Sequence, residues 1–424
     1  MRVLVTGASG FIGRAVADAL EGHGHQVLRA ARRAALAVDL AQVPDMNWWL
    51  TRLAGVDAVV NAVGILRERG AQSFRALHTE APIELFKACA AAGVGVVQIS
   101  ALGADASASS RYHLSKKLAD DALRALPLRF AVVVQPSLVY GPGGSSARLF
   151  NRLAVLPVLA LPRRGDMQVQ PVHVDDVVAG VMALLESPPR SALTVAFVGP
   201  QPMGLRQYLT RLRNALGVSG EPRVLPLPAA WFRFAAAIAG QLPGSFLDRD
   251  TAGMLLRGNT APSEPFARLL GRSPLKVEQF IARGQAASLR TEAMLGVWLP
   301  VLRVSIASMW IWTGIVSLGL YPVQDSLALL ARVGLHGTAA ILALYGAAAL
   351  DLLLGVLTVA APARVRGLVW AGQVLLIAGY TFLISVFLPE YWLHPYGPIS
   401  KNIPLLAAIA LAWALEPPVP EQGR

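Results

Sequence analysis

Cysteine is almost missing from this chain: Cys89 is the only one among 424 residues. A single thiol excludes an internal disulfide and any cysteine-built zinc site. Between Ala88 and Ala90 it reads as a small core residue on a buried helix. Charge is also scarce, at 15% of residues, against about 25% in an average soluble domain. Acidic residues are the rarer sign, 26 against 38 Lys and Arg, for a net charge of +12. No basic run is interleaved with aromatics, so a nucleic-acid partner is not expected. A leader is not expected either, because the first residues already read as a buried strand. His394 has no second His or Cys at ligand spacing, and no metal site is expected.

Apolar residues are plentiful, 54% of the whole, and they gather at the end. From residue 296 on there are six Lys or Arg and five Asp or Glu, which leaves 32 and 21 before it, a net of +11. A basic front suits an anionic membrane surface. Segments 299–321, 338–361 and 367–388 are each long enough to cross a hydrocarbon core of about 30 Å. A weaker fourth span covers 399–415, with its uninterrupted apolar part at 403–415. Four spans put both ends on one side, together with the linker carrying Arg364 and Arg366. The opposite loops hold only Asp325, Arg332, Glu390 and Lys401. The positive-inside rule then places the front domain in the cytoplasm, on a multi-pass inner membrane protein. Asp351 falls mid-span, where a carboxylate is costly and faces a partner or a cavity. Arg303 is a candidate partner.

The front part opens with Val3-Leu4-Val5-Thr6-Gly7-Ala8-Ser9-Gly10-Phe11-Ile12-Gly13. A strand-like run enters a loop with three glycines, and a helix-like segment, 14–21, follows. In that context one glycine turns the chain, one lets backbone approach phosphate, and one lets helix and strand pack closely. A plain glycine turn is the alternative, but the strand before and the helix after favour a dinucleotide. Further strands are expected at 26–31, 35–40, 56–63, 94–100 and 128–135. Helices are expected at 73–92, 111–125 and 174–186. Short apolar runs separated by helices imply a parallel sheet covered on both faces. Residues 199–290 read as a small substrate lobe. Within it 229–240 is apolar but too short to span; a lobe helix is the default reading and a membrane-surface helix the lesser one.

Tyr112-His113-Leu114-Ser115-Lys116 opens a helix and sets Tyr and Lys on one face. An ammonium beside a phenol lowers its pKa from about 10. The phenol can then exchange a proton with a carbonyl or alcohol. A solvated Tyr/Lys pair is the bland alternative, but the position behind the glycine loop favours catalysis.

With these motifs the chain resembles an extended or atypical short-chain dehydrogenase/reductase, over residues 1 to about 290. Within that superfamily it resembles the branch holding the nucleotide-binding accessory subunit of respiratory complex I. The likeness is also carried by Asn61-Ala62-Val63-Gly64-Ile65-Leu66, by Val97-Gln98-Ile99-Ser100-Ala101-Leu102-Gly103-Ala104, by Gln135-Pro136-Ser137-Leu138-Val139-Tyr140-Gly141-Pro142 and by Val172-His173-Val174-Asp175-Asp176-Val177. The resemblance implies that Ser100 bonds the substrate oxygen, Tyr112 is the acid/base and Lys116 binds ribose and tunes Tyr112. It implies that Thr6, Gly7, Ser9, Gly10, Phe11, Ile12 and Gly13 hold the cofactor, with Asn61, Ala62, Val63 and Gly64 lining it. Asp39 matches an acid near adenine, and Pro136 and Ser137 lie by the nicotinamide. Ser100 stands 12 residues before Tyr112, closer than in many members, and His78 takes a place often held by Asn. The segment Tyr391-Trp392-Leu393-His394-Pro395-Tyr396-Gly397-Pro398-Ile399-Ser400-Lys401-Asn402-Ile403-Pro404, with the apolar spans, resembles a DoxX-like membrane domain of residues 298–416.

The second strand ends at Ala31-Arg32-Arg33. An acid there would take a ribose 2′-hydroxyl, whereas arginine accommodates a 2′-phosphate, so Arg32 favours NADP(H) over NAD(H). The expected fold class is α/β: a Rossmann doubly wound parallel sheet with a small substrate lobe, then a four-helix transmembrane bundle. The expected function is a membrane-tethered NAD(P)-dependent reductase or dehydrogenase. Its substrate would be a carbonyl or secondary alcohol of an apolar molecule of quinone, isoprenoid or lipid type. The rival is an NADP(H)-binding assembly or sensor protein of a membrane redox complex, without turnover. The partners on these readings are the bilayer, an apolar substrate, and a quinone or a redox complex.

Overall fold

The structure is a computed structural model, and it describes residues 1–162, 165–239, 253 and 255–416. It divides into two compact units, 1–293 and 294–424.

Seven parallel strands form the sheet of the first unit. They are β1 (Arg2–Thr6), β2 (Gln26–Ala31), β3 (Leu36–Ala37), β4 (Ala58–Asn61), β5 (Gly95–Ile99), β6 (Ala131–Pro136) and β7 (Leu193–Phe197). Their spatial order is β7-β6-β5-β4-β1-β2-β3. The order reverses beside β1, and such a switch point opens a crevice at the carboxyl ends of the strands. Val3, Val5, Val60, Val97, Val132 and Val134 face one core with helices α1 (Phe11–Gly22) and 174–186. Leu4, Val59, Val96 and Val133 face the other. There they meet α2 (Ala81–Ala92), α3 (Arg111–Ala125) and Trp49. Both faces are buried, which is why these strands read as unbroken apolar runs rather than alternating ones.

Two local expectations need correction. The third strand is only two residues long, because Asp39 leaves it to cap a short 3₁₀ turn, accepting from Ala41 N–H at 3.1 Å. The helix expected over 73–92 begins as a π-helical segment, Arg75–Glu80, before turning α-helical. Such insertions redirect a side chain without ending the helix, and here the segment carries His78.

Beyond β6 the first unit adds two-stranded pairs, among them 158–162 with 223–227. In the lobe, Ala229–Ala239 forms a helix, α4, whose Phe232 and Ala236 pack against Leu227, Leu255 and Leu256. Part of the expected lobe, 240–252 and 254, lies outside the described residues. Asp176, fully buried, explains one motif of the resemblance. It accepts Leu275 N–H at 2.7 Å and pairs with Arg272 at 2.6 Å, so it fixes the lobe.

Among the described residues, three helices are long and apolar enough to cross a membrane. They are α5 (Ala286–Ile315), continued by a π-helical turn to Leu320, α6 (Gly337–Ala360) and α7 (Ala363–Phe387). The fourth expected span is α8 (Asn402–Ala414), only 13 residues. At 1.5 Å per residue it covers about 20 Å, short of a hydrocarbon core. It nonetheless packs in the same bundle through Ile409 and Ala412. Arg303 does not pair with Asp351. It pairs with Glu416, just past α8, which also meets Arg366 at 3.3 Å and accepts Trp370 Nε1–H at 3.2 Å. Asp351 is buried, and its Oδ1 has no partner among the described residues. At the other end of the bundle Arg332 pairs with Glu390 at 2.6 Å.

Candidate active site

The glycine loop leaves β1 at Thr6 and re-enters regular structure at Phe11. Gly7 adopts a φ of +69°, and a Cβ there would sit 2.8 Å from the Ala62 carbonyl oxygen. A Cβ on Gly13 would stand 2.3 Å from the Gly7 oxygen. The first turn of α1 receives no side-chain cap from Gly10, so its N–H groups stay available. A strand-to-helix turn this tight, with uncapped amides at its end, fits a dinucleotide pyrophosphate. Ser9 and Gly10 are exposed on the loop, and Phe11 and Ile12 are half-buried.

A buried hydrogen-bond chain ties the carboxyl ends of three adjacent strands. Thr6 Oγ1 donates to Asn61 Oδ1 at 2.5 Å, and Asn61 Nδ2 donates to Gln98 Oε1 at 2.6 Å. Asn61 therefore holds the sheet edge where Ala62, Val63 and Gly64 depart. Lys116 reaches under that departure: its Nζ donates to Val63 O at 2.8 Å and to Ile99 O at 3.1 Å. Burial pulls its pKa down to about 8, against the opposing pull of Asp120.

His78 settles the place where the resemblance has Asn. Ile65 N–H donates to its Nε2 at 2.9 Å, so the proton sits on Nδ1 and is donated to Ser115 Oγ, also at 2.9 Å. Ser115 Oγ in turn donates to the Tyr112 carbonyl at 2.7 Å. Burial first and the Lys116 charge second push His78 down to about 2, so it is a neutral bracket. It joins the loop after β4 to the start of α3.

Tyr112 is half-buried among Phe74, His78 and His113, whose ring centroids lie 5.3–6.0 Å from its own. Its hydroxyl makes no hydrogen bond among the described residues. The expected lowering of its pKa is not found: burial first and the Asp120 charge second push it up to about 12. The Lys116 ammonium is turned toward two carbonyls, and the nearby carboxylate works against it.

That carboxylate escaped the sequence reading. Asp120 follows Lys116 as Lys116 follows Tyr112, four residues on, so all three share one face of α3. It is fully buried and accepts the Ser100 hydroxyl at 2.5 Å. Burial raises it to about 6, while Ser100 and Lys116 pull the other way. Ser100 is thus engaged inward, not with Tyr112.

Pro136 ends β6 and Ser137 follows it; both are buried, and Ser137 Oγ donates to the Gln170 carbonyl. Arg32, directly after β2, is exposed and has no ion pair or hydrogen bond among the described residues. Asp39 is exposed beyond β3. A cavity of about 150 Å³ opens beside the loop at Gly141, lined by Tyr140, Arg148, Asn151, Phe280 and Glu292 among others. Phe11 packs on that loop, within 3.1 Å of where a Cβ at Gly141 or Gly144 would sit.

Comparison with known proteins agrees with this geometry. Residues 3–196 match the NAD dependent epimerase/dehydratase family, and 307–410 match the DoxX-like family. A 3-diazoavenalumate denitrifying reductase of a Streptomyces species is 30% identical over 287 residues, 58% of this chain and 88% of that protein. The chain belongs to the NAD-dependent epimerase/dehydratase family. A second relative within reach of this family assignment is a ceramide reductase of Caulobacter vibrioides. It is 28% identical over 240 residues, 53% of this chain and 73% of the relative. The mouse (Mus musculus) mitochondrial NADH dehydrogenase (ubiquinone) 1 alpha subcomplex subunit 9 is 27% identical over 212 residues, 46% of this chain and 56% of that subunit. The resemblance to short-chain dehydrogenase/reductases and to the complex I branch is borne out, as is the DoxX-like tail. The chain is an NAD(P)-dependent oxidoreductase of this family joined to a DoxX-like membrane domain.

Proposed function

We propose that the chain is a membrane-tethered reductase that acts with NADP(H) on a carbonyl, or in reverse a secondary alcohol, of an apolar lipid-type molecule. The carrying observation is the Tyr112 hydroxyl, without a hydrogen bond among the described residues and one helical turn from the buried Lys116 ammonium. When bound, the nicotinamide supplies the hydride. Tyr112 Oη gives its proton to the carbonyl oxygen as the carbon is reduced, and Lys116 compensates the phenolate left behind. A phenol pushed up to about 12 is protonated at neutral pH, the form that donation requires. Thr6, Gly7, Ser9, Gly10, Phe11, Ile12 and Gly13 hold the pyrophosphate through backbone and helix terminus. Asn61, Ala62, Val63 and Gly64 line the adjoining ribose and nicotinamide, with Lys116 below Gly64, Asp39 near the adenine and Pro136 with Ser137 on the far side. Asp120 accepts the Ser100 hydroxyl, so in this arrangement Tyr112 and not Ser100 donates to the reacting oxygen.

NADP(H) is preferred because Arg32 stands exposed after β2 with no ion pair among the described residues, where a 2′-phosphate would be met by a guanidinium. A lipid-type substrate is supported by the relative named ceramide reductase and by the apolar helices of the second unit. The domain division is 1–290 for cofactor and substrate, with a lobe from about 199, and 298–416 for the bundle. The front lies in the cytoplasm at the inner membrane, following Arg364 and Arg366.

A second reading, an NADP(H)-binding assembly or sensor protein, draws on two observations. One relative is named as a complex I subunit, and the Ser100 hydroxyl is committed to Asp120. The two readings part on turnover. Purified protein given NADPH and a long-chain ketone should consume NADPH, and Tyr112→Phe should lower the rate at least about 100-fold with cofactor binding intact. No consumption by the wild type, with NADPH tightly retained, would favour the second reading.

A further inference from the structure

The lobe helix α4 has one face that is left exposed among the described residues. Trp231, Phe234 and Ile238 recur at helical spacing and are 63%, 58% and 51% exposed. The opposite side, Phe232 and Ala236, is buried against Leu227, Leu255 and Leu256. So α4 is properly seated in the lobe, and its exposed side is a second apolar face, not a misplaced core. Leu225, 56% exposed on the strand 223–227 just before it, enlarges the patch. The Trp231 and Phe234 rings meet edge to face at 6.1 Å, so the patch has a fixed aromatic ridge.

We propose that this face rests in the interfacial layer of an anionic lipid bilayer. Trp and Phe beside cationic side chains are the composition of helices that lie in a membrane surface rather than cross it. Arg233 projects from the same helix, and Arg223 begins the adjoining strand; both are exposed. Residues 222–239 contain no Asp or Glu, within a front part whose net charge is +11. That charge suits acidic headgroups and opposes pairing with a second copy of the same basic surface. A bilayer is also the one apolar partner that this chain always has, since its own membrane helices follow in the same polypeptide. At 11 residues α4 is too short to span and long enough to lie flat.

Spin labels on the full chain test this. A label would be placed by Phe234→Cys or Ile238→Cys in a Cys89→Ala background, with exposed Ser187→Cys as the reference. The protein would be reconstituted in nanodiscs of phosphatidylcholine with about 30% phosphatidylglycerol. Collision with lipid-soluble oxygen and with a water-soluble nickel chelate would then be compared. The oxygen-to-nickel ratio at 234 and 238 should exceed that at 187 by about fivefold or more. A ratio equal to that at 187 would mean the face lies in water and overturns the proposal. Exclusion of both reagents would mean protein covers it, a second copy or another part of the chain, and overturns it equally. Unchanged thermal midpoints of the cysteine variants show that the labelled proteins are folded.

Discussion

At the scale of single residues, the proposed site turns on Tyr112, Lys116 and Asp120, spaced four apart on one helix face. The shared helix face of Tyr112 and Lys116 was legible in the sequence, because a four-residue spacing is enough to set it. Asp120 lay one more turn along and was readable by the same rule, but a carboxylate on a helix usually faces water. Its burial, and its grip on Ser100, come from strand β5 brought alongside by the fold. Lys116 titrates near 8 where an ordinary lysine stands at 10.5. The unfolded chain therefore holds this proton more tightly, and the Lys116 contribution to stability rises with pH between those two values. Its ammonium is lost above about pH 8, so NADPH affinity should decline as pH passes that value. Asp120 raises the Lys116 pKa, so Asp120→Asn should move the decline to lower pH. Fluorescence titration of NADPH across pH reads the midpoint. If Asp120 merely fills space, the midpoint stays where it is.

At the scale of elements, the turn from β1 into α1 was readable in full. A glycine loop after a β-branched run is a local device, and its geometry follows from missing Cβ atoms. Gly13→Ala would drive a methyl to 2.3 Å from the Gly7 oxygen. Overpacking of this kind costs about 1–3 kcal/mol. The variant should show a lowered thermal midpoint and an NADPH-induced rise in midpoint that is largely lost; calorimetry with and without NADPH measures both. A full NADPH-induced rise in Gly13→Ala would remove the loop from the binding site. The π-helical segment at Arg75–Glu80 was not readable, since 3.6- and π-type windings share one apolar pattern over so short a run. Nor was the Glu416 cluster, because it joins residues 303, 366 and 416, which only the folded bundle brings together. The apolar pattern marked four membrane segments, but composition does not fix helix ends, and α8 stops at 13 residues.

At the scale of the whole molecule, the chain couples a dinucleotide fold to membrane helices, and the account depends on which side each loop faces. With the linker at Arg364 and Arg366 in the cytoplasm, a membrane-impermeant thiol reagent should label His336→Cys on spheroplasts. It should reach Arg364→Cys only after lysis, both variants carrying Cys89→Ala. The reverse pattern would invert the topology and move the cofactor fold away from the cytoplasmic NADPH pool. The central claim, that this chain reduces a lipid carbonyl with hydride from NADPH, is tested most directly by isotope transfer. Protein in nanodiscs would be given NADPH deuterated at the transferable position and a long-chain ketone lipid, and the alcohol product weighed by mass spectrometry. The account predicts one deuterium on the new carbinol carbon with the wild type and a trace at most with Tyr112→Phe. An alcohol product without the label, or equal labelling by Tyr112→Phe, would contradict it.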